Sequence, residues 1–216
     1  MQRSFEYYIF DFDGTLVDSV AAWADATEQI IENFGLPYSE ELLRTIGTMD
    51  VETRCKYFVS LGIKGTWEEV ARCTYDYMTQ YYRDRCPVKD GVLETLAELK
   101  RRGKRISILT ATDHELFDPK LQQMEVSNLL DHAWCSMDFE LKKSDPILYR
   151  KVAQAWNAPI DSIIFVDDNI NSVRGAVSAG VFSVGMYDDA GGVAVWPQMQ
   201  ETADRTILTM TELLEI

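Results

Sequence analysis

The segment Phe5-Glu6-Tyr7-Tyr8-Ile9-Phe10 is aromatic and β-branched and stops at Asp11, the pattern of a buried strand. From Asp18 the period changes. Val20, Trp23, Ala24, Thr27, Ile30, Ile31 and Phe34 recur at helical spacing, and Gly35 with Pro37 ends the run. Three more helical stretches come next over 39–46, 50–61 and 67–84, the last opening with a capping box from Thr66 to Glu69. Nothing between Asp18 and Arg85 alternates as a strand would. After Pro87, strands and helices take turns. A helix over 91–102 puts Val92, Leu96 and Leu99 on one face and stops at Gly103, and a strand over 106–109 leads to a second capping box, Thr112 to Glu115. A weaker strand lies near 132–136. Asp145-Pro146 starts a helix, with Asp as N-cap and Pro at the first helical position. The clearest strand, 163–166, ends at Asp167-Asp168. A helix over 171–179 stops at Gly180, a short strand covers 181–184, and a last strand and helix fall within 205–215.

Alternating short apolar strands and helices predict an α/β fold, a Rossmann-like parallel sheet with helices on both faces. The four helices have no place in that alternation. They read as an all-helical domain over 18–86, inserted between the first and second strands of a discontinuous α/β core over 1–17 and 87–216. The chain has no internal repeat and no low-complexity linker.

Composition narrows the class. With 216 residues, 46% hydrophobic and 26% charged, the chain has the make-up of a globular protein able to bury a core without staples. No apolar run reaches the length of a membrane helix, and Glu6, Asp11 and Asp13 interrupt any signal-peptide core. Cys55, Cys73, Cys86 and Cys135 form no CxxC pair, so they read as reduced packing residues in a cytoplasm. Net charge is −14. The one basic cluster, Lys100-Arg101-Arg102 with Lys104-Arg105, closes a helix, where the helix dipole and a solvated face account for it. No nucleic-acid or membrane partner is expected, since either would call for a basic stripe. A phosphate handled by so acidic a chain requires local cations.

In open parallel sheets, ligands bind at the carboxyl ends of the strands. The predicted strands run in turn into Asp11 and Asp13, into Thr110, into Lys142 or Lys143, and into Asp167 and Asp168. Carboxylates so close repel one another and take up protons unless a cation joins them, and hard oxygen donors suit Mg²⁺ best. Other residues have plainer readings. His114 reads as a solvated or capping histidine, His132 carries no role, and Asp188-Asp189 before Ala190-Gly191-Gly192 reads as a surface loop. Trp23, Thr45, Gly47, Thr48 and Met49 of the helical insertion are candidates to face the site, with core of that insertion the plainer reading for Trp23 and Met49.

Asp11-Phe12-Asp13-Gly14-Thr15-Leu16 resembles the DxDGT first motif of the haloacid dehalogenase superfamily. Thr110, closing its strand, is similar to the second motif, Lys143-Ser144-Asp145-Pro146 to the third, and Phe165-Val166-Asp167-Asp168-Asn169 to the fourth. The insertion resembles the cap placed after the first motif, and the closest likeness is to the phosphoglycolate phosphatase and β-phosphoglucomutase branch. The resemblance implies a Mg²⁺-dependent phosphatase acting on a small phosphorylated metabolite. Asp11 is then the nucleophile forming an aspartyl-phosphate, and Asp13 the general acid and base. Gly14, Thr110, Ala111 and Lys143 hold the phosphoryl group. Asp11, the Asp13 carbonyl and Asp168 hold the metal, with Asp167 as ligand or neighbour. Asp13 disfavours the dehalogenases, which lack it. Trp23, where sugar-phosphate mutases carry a catalytic histidine, disfavours a phosphomutase, which stays the alternative, and a non-catalytic relic is less favoured still. Ser144 in place of Pro and Ala111 in place of Asn are departures from the family pattern. A monomer is the simplest expectation, with a dimer as the other option.

Overall fold

The computed structural model describes residues 5–37, 39–46 and 49–216, apart from the Arg44 side chain. In chain order the elements are β1 (Tyr7–Phe10), α1 (Val20–Asn33), α2 (Glu40–Ile46), α3 (Val51–Ser60), α4 (Trp67–Asp84) and α5 (Val92–Arg101). Next come β2 (Arg105–Thr110), α6 (His114–Gln123), β3 (His132–Cys135), α7 (Pro146–Ala155), β4 (Ile163–Asp167) and α8 (Ile170–Ala179). The chain closes with β5 (Phe182–Met186), α9 (Trp196–Thr202) and β6 (Arg205–Ile207). Two compact units result, Met1–Val20 with Cys86–Ile216, and Ala21–Arg85.

The first unit is built on a six-stranded sheet of order β3-β2-β1-β4-β5-β6, with every neighbouring pair parallel. This is the doubly wound arrangement that alternating strands and helices predict. β1 lies at its centre, where the chain direction across the sheet reverses. Phe10 is in register with Ile108 of β2 and Val166 of β4. One residue further on, Asp11 and Asp167 therefore stand side by side, and the Asp11 N–H donates to the Val166 carbonyl at 2.9 Å. Because strand side chains alternate, Asp11 shares the face of Ile9, and Asp167 that of Phe165. Ile9, Phe165 and Leu109 pack there against Leu148, Tyr149 and Val152 of α7. The two carboxylates thus stand at the top of a largely apolar layer.

The second unit holds α1 to α4 around its own core, in which Ile30, Ile31, Cys55, Phe58 and Val70 are buried. Its longest helix, α4, starts with the reciprocal capping box between Thr66 and Glu69. The segments leading to and from this unit are neighbours within the first unit. Val17 and Val88 form an antiparallel bridge, and Asp18 N–H donates to Pro87 O and Lys89 N–H to Leu16 O, both at 3.0 Å. Two closely spaced chain passages let a whole unit be inserted without disturbing the sheet.

The structure differs from the sequence pattern at three helices. α9 is absent from the pattern because it is only seven residues long, carries Pro197 in its first turn and comes after Gly191-Gly192. The last helical segment is a 3₁₀ helix over Met210–Glu215, capped by Thr209 and Glu212. α6 starts at His114 with Asp113 at its N-cap, so Thr112 does not play the capping part its spacing suggests. All four cysteines are free, and no helix among the described residues is long and apolar enough to cross a membrane.

α8 approaches the loop before α7 closely. A Cβ on Gly175 would overlap the Lys143 carbonyl oxygen and crowd Ser144 at 3.0 Å, backbone atoms that have no rotamer to yield. The Tyr149 hydroxyl reinforces this junction, lying 2.7 Å from the Lys143 carbonyl and 2.8 Å from the Ser172 carbonyl, one proton shared by two acceptors. Gly175→Ala is expected to destabilise the first unit by about 1–3 kcal/mol, the usual range for overpacking a filled interior. Urea unfolding checks this, as a lower midpoint with an unchanged slope.

Candidate active site

Three strand ends contribute most of the site's groups. Asp11 comes directly after β1, Thr110 ends β2, Asp167 ends β4, and Asp168 is the next residue. Lys143 enters from the loop that Asp145 and Pro146 close, where the Asp145 carboxylate accepts from Ile147 N–H at 2.8 Å and begins α7. The Lys143 ammonium is 2.5 Å from Asp11 Oδ1 and 2.6 Å from Asp167 Oδ2, and it reaches the Leu109 carbonyl at 3.4 Å. Lys143 is only 7% exposed and Asp167 is fully buried. Of the two lysines the sequence leaves open, the structure joins Lys143 to the carboxylates.

The three carboxylates Asp11, Asp167 and Asp168 offer oxygens that all lie within 4.8 Å of one another. One ammonium cannot neutralise three carboxylates, of which Asp11 and Asp167 are buried and Asp168 is half-buried. Burial, and next the Asp167 charge, push Asp11 up to about 8, against the opposing pull of Lys143. Burial, then the Asp167 and Asp11 charges, raise Asp168 well above its ordinary value, again against the pull of Lys143. Lys143 is held above its ordinary value, since the attraction of Asp11 and Asp167 outweighs the burial that alone would lower it. A cluster of hard oxygens that holds protons for want of positive charge has the donor chemistry of a divalent-cation site. Two of the remaining oxygens are tethered. Thr15 Oγ1 donates to Asp168 Oδ1 at 3.2 Å, and Asn169 N–H to Asp167 Oδ1 at 2.6 Å.

Asp13 is held separately. The chain turns immediately after Asp11, with Leu16 N–H donating to Phe12 O at 2.8 Å, so Asp13 lies in a tight turn and not on an extended strand. Ser19 Oγ donates to Asp13 Oδ1 and Thr112 Oγ1 to Asp13 Oδ2, both at 2.6 Å. Thr112 N–H in turn donates to Thr110 Oγ1 at 3.0 Å, linking the ends of β1 and β2. Gly14 closes the turn with φ +76° and lies against the Asp168 carboxylate, where a Cβ would overlap it. Only glycine combines that left-handed backbone with so close an approach.

Sequence reasoning missed Ser19 and Thr112 as partners of Asp13. Ser19 carries no motif signal, and the Thr112 spacing to Glu115 points to a helix cap instead. Asp188 needs a firmer correction. It is not a surface-loop residue but is 2% exposed, and its Oδ2 meets the Lys89 ammonium at 2.6 Å. Ala111 is exposed. His114 is also exposed and lies between Asp118 (3.0 Å) and Asp138 (3.1 Å), a solvated ion-pair position. In the helical unit Trp23 is half-buried, Met49 packs on that unit's core, and Thr45 donates to the Glu41 carbonyl at 2.8 Å. Gly47 and Thr48 lie outside the described residues.

Comparison with known proteins places the chain in a family. The chain is 25% identical over 177 residues to the phosphorylated carbohydrates phosphatase of Thermotoga maritima, covering 82% of each protein. It is 27% identical over 234 residues to the glyceraldehyde 3-phosphate phosphatase of Pyrococcus furiosus, covering 99% of this chain and 93% of that one. The crystal structure of a HAD hydrolase, family IA, variant 3, from Entamoeba histolytica shares the fold with a TM-score of 0.80 at 21% identity, over 96% of this chain and 95% of the other. The haloacid dehalogenase-like hydrolase family pattern matches residues 8–186, from β1 to the end of β5, and the chain belongs to that family.

Proposed function

We propose that this hydrolase is a Mg²⁺-dependent phosphatase that cleaves a small phosphorylated metabolite through an aspartyl-phosphate on Asp11. The observation that carries the reading is the separation of duties among the aspartates. Asp11 is paired with the Lys143 ammonium among carboxylates that call for a cation, whereas Asp13, two residues on, is bound by two hydroxyls. Relatives named as phosphatases of phosphorylated sugars and of glyceraldehyde 3-phosphate support the substrate class.

In this scheme an Asp11 oxygen attacks phosphorus while the ester P–O bond breaks, and Asp13 gives its proton to the departing oxygen. Water then attacks phosphorus, Asp13 takes the water's proton, and the Asp11–phosphorus bond breaks to release inorganic phosphate and the free carboxylate. Ser19 and Thr112 hold both Asp13 carboxylate oxygens, while Lys143 pairs with Asp11, so that one carboxyl group handles protons and the other handles phosphorus. The Lys143 ammonium balances charge on Asp11 and on the phosphoryl oxygens. The Thr110 hydroxyl accepts from Thr112 N–H, which leaves its own O–H to donate to a phosphoryl oxygen, with Ala111 next to it in the same loop. Asp11, Asp168 and the Asp13 carbonyl, with Asp167 as ligand or neighbour, would hold Mg²⁺, which would supply positive charge to offset the phosphoryl oxygens. We assign the helical unit the part of a cap, since it is inserted directly after the first motif. Its residues then choose the metabolite.

Hydrolysis of p-nitrophenyl phosphate tests the proposal. Wild-type turnover is expected with magnesium chloride and not with EDTA, and Asp11→Asn is expected to lower kcat by at least about 10³-fold. Retained turnover in Asp11→Asn contradicts the reading.

The same cluster sets a pH dependence of stability. Asp11 ionises near 3.8 in the unfolded chain and near 8 in the folded one, so the fold keeps a proton that the unfolded chain has lost. Without metal, stability is expected to fall as pH rises through that window. Magnesium displaces the proton, so the rise in Tm on adding it is expected to be larger at about pH 8 than at about pH 5.5. Scanning calorimetry at the two pH values checks the sign, and Asp11→Asn is expected to flatten the difference.

A further inference from the structure

Lys89 lies where the chain returns from the helical unit, and no motif of the family pattern includes it. Its side chain is 15% exposed, and its ammonium makes two short contacts, 2.6 Å to the Gly14 carbonyl and 2.6 Å to Asp188 Oδ2. Asp188 lies just past the end of β5, and the loop after it is folded around its carboxylate. Asp188 Oδ1 accepts from Ala190 N–H at 2.9 Å and Gly191 N–H at 3.0 Å, and its carbonyl accepts from Gly192 N–H at 2.7 Å. Oδ1 thus shapes the loop, while Oδ2 is spent on Lys89. The Lys89 backbone is fixed as well, through its N–H bond to Leu16 O.

The acceptor at the far end is the informative one. Gly14 comes directly after Asp13 and lies against the Asp168 carboxylate. A carbonyl gripped by an ammonium fixes the orientation of its whole peptide plane. Ser19 and Thr112 fix the Asp13 carboxylate from the side-chain end, and Lys89 fixes the turn from the main-chain end. We propose that Lys89 is a positioning residue for the reaction, holding the Gly14 peptide so that Asp13 meets the leaving oxygen, with Asp188 as the carboxylate that aims and neutralises it. This rests on the assignment of Asp13 as general acid.

A residue that acts through the general acid matters most when the leaving group needs a proton. Displacements of an ångström at such a group cost about 10²-fold, and acid assistance is worth about 10²–10⁴-fold. The test compares kcat/KM, which reports the step that cleaves the ester, for phenyl phosphate, a poor leaving group, with that for p-nitrophenyl phosphate, a good one, in wild type, Lys89→Met, Asp188→Asn and Asp11→Asn. Lys89→Met is expected to lose roughly 30-fold on the phenyl ester and only about threefold on the nitrophenyl ester, with KM little changed. Asp188→Asn should shift in the same direction. Equal losses on both esters, or none, would overturn the proposal while leaving the Asp11 assignment standing. Retained turnover in Asp11→Asn instead overturns the underlying reading and this proposal with it. Hydrogen exchange of the intact variants gives a readout independent of turnover, whatever the rate on either ester. Amides of residues 12–17 should exchange at least about tenfold faster in Lys89→Met, with β4 unchanged. Unaltered exchange at the turn would also overturn the proposal.

Discussion

The site depends on one buried contact, the Lys143 ammonium set between Asp11 and Asp167. Three carboxylates at the ends of adjacent strands would repel one another and open the top of the sheet. Burying a charge is costly unless it is paired, and here a single lysine pairs with two of the three. The arrangement remains short of positive charge, and that shortfall suits it to a divalent cation and a phosphoryl group. The stability cost of the cluster and its chemical use have the same cause.

The fold is arranged to hold that lysine still. Its carbonyl accepts from Tyr149, α8 comes close at Gly175, and the N-cap of α7 stands two residues later at Asp145. Below lies the apolar layer of Ile9, Leu109 and Phe165, which gives the carboxylates no room to sink away from one another. The parallel register then sets Asp11 beside Asp167 with no further specification. The meeting of Asp11, Asp167 and Lys143 is thus largely a matter of strand register and one loop.

Much of this is legible in the sequence. The strands ending at Asp11, Thr110 and Asp167 are readable because buried parallel strands are continuous apolar runs, and their ends are where polarity changes. Asp145-Pro146 declares its helix for a similarly local reason. The features that stay hidden depend on distant partners. Ser19 and Thr112 look like ordinary turn and cap residues until the fold brings both to Asp13. Lys89 and Asp188, 99 residues apart in the chain, carry no shared spacing, and the glycines after Asp188 suggest an open loop when in fact the loop closes around its carboxylate. α9 escapes the pattern because a proline in its first turn and glycines before it resemble a break. Local signals name the elements, but the side chains that steady the reacting groups are chosen by three-dimensional proximity.

The most direct test of the account is to trap the covalent intermediate. The enzyme would be mixed with excess p-nitrophenyl phosphate and magnesium, quenched in acid and reduced with borohydride, which converts a phosphorylated aspartate to homoserine, and then mapped by peptide mass spectrometry. The account predicts homoserine at position 11 and an unmodified Asp13. Modification at another aspartate, or none during demonstrated turnover, would contradict it.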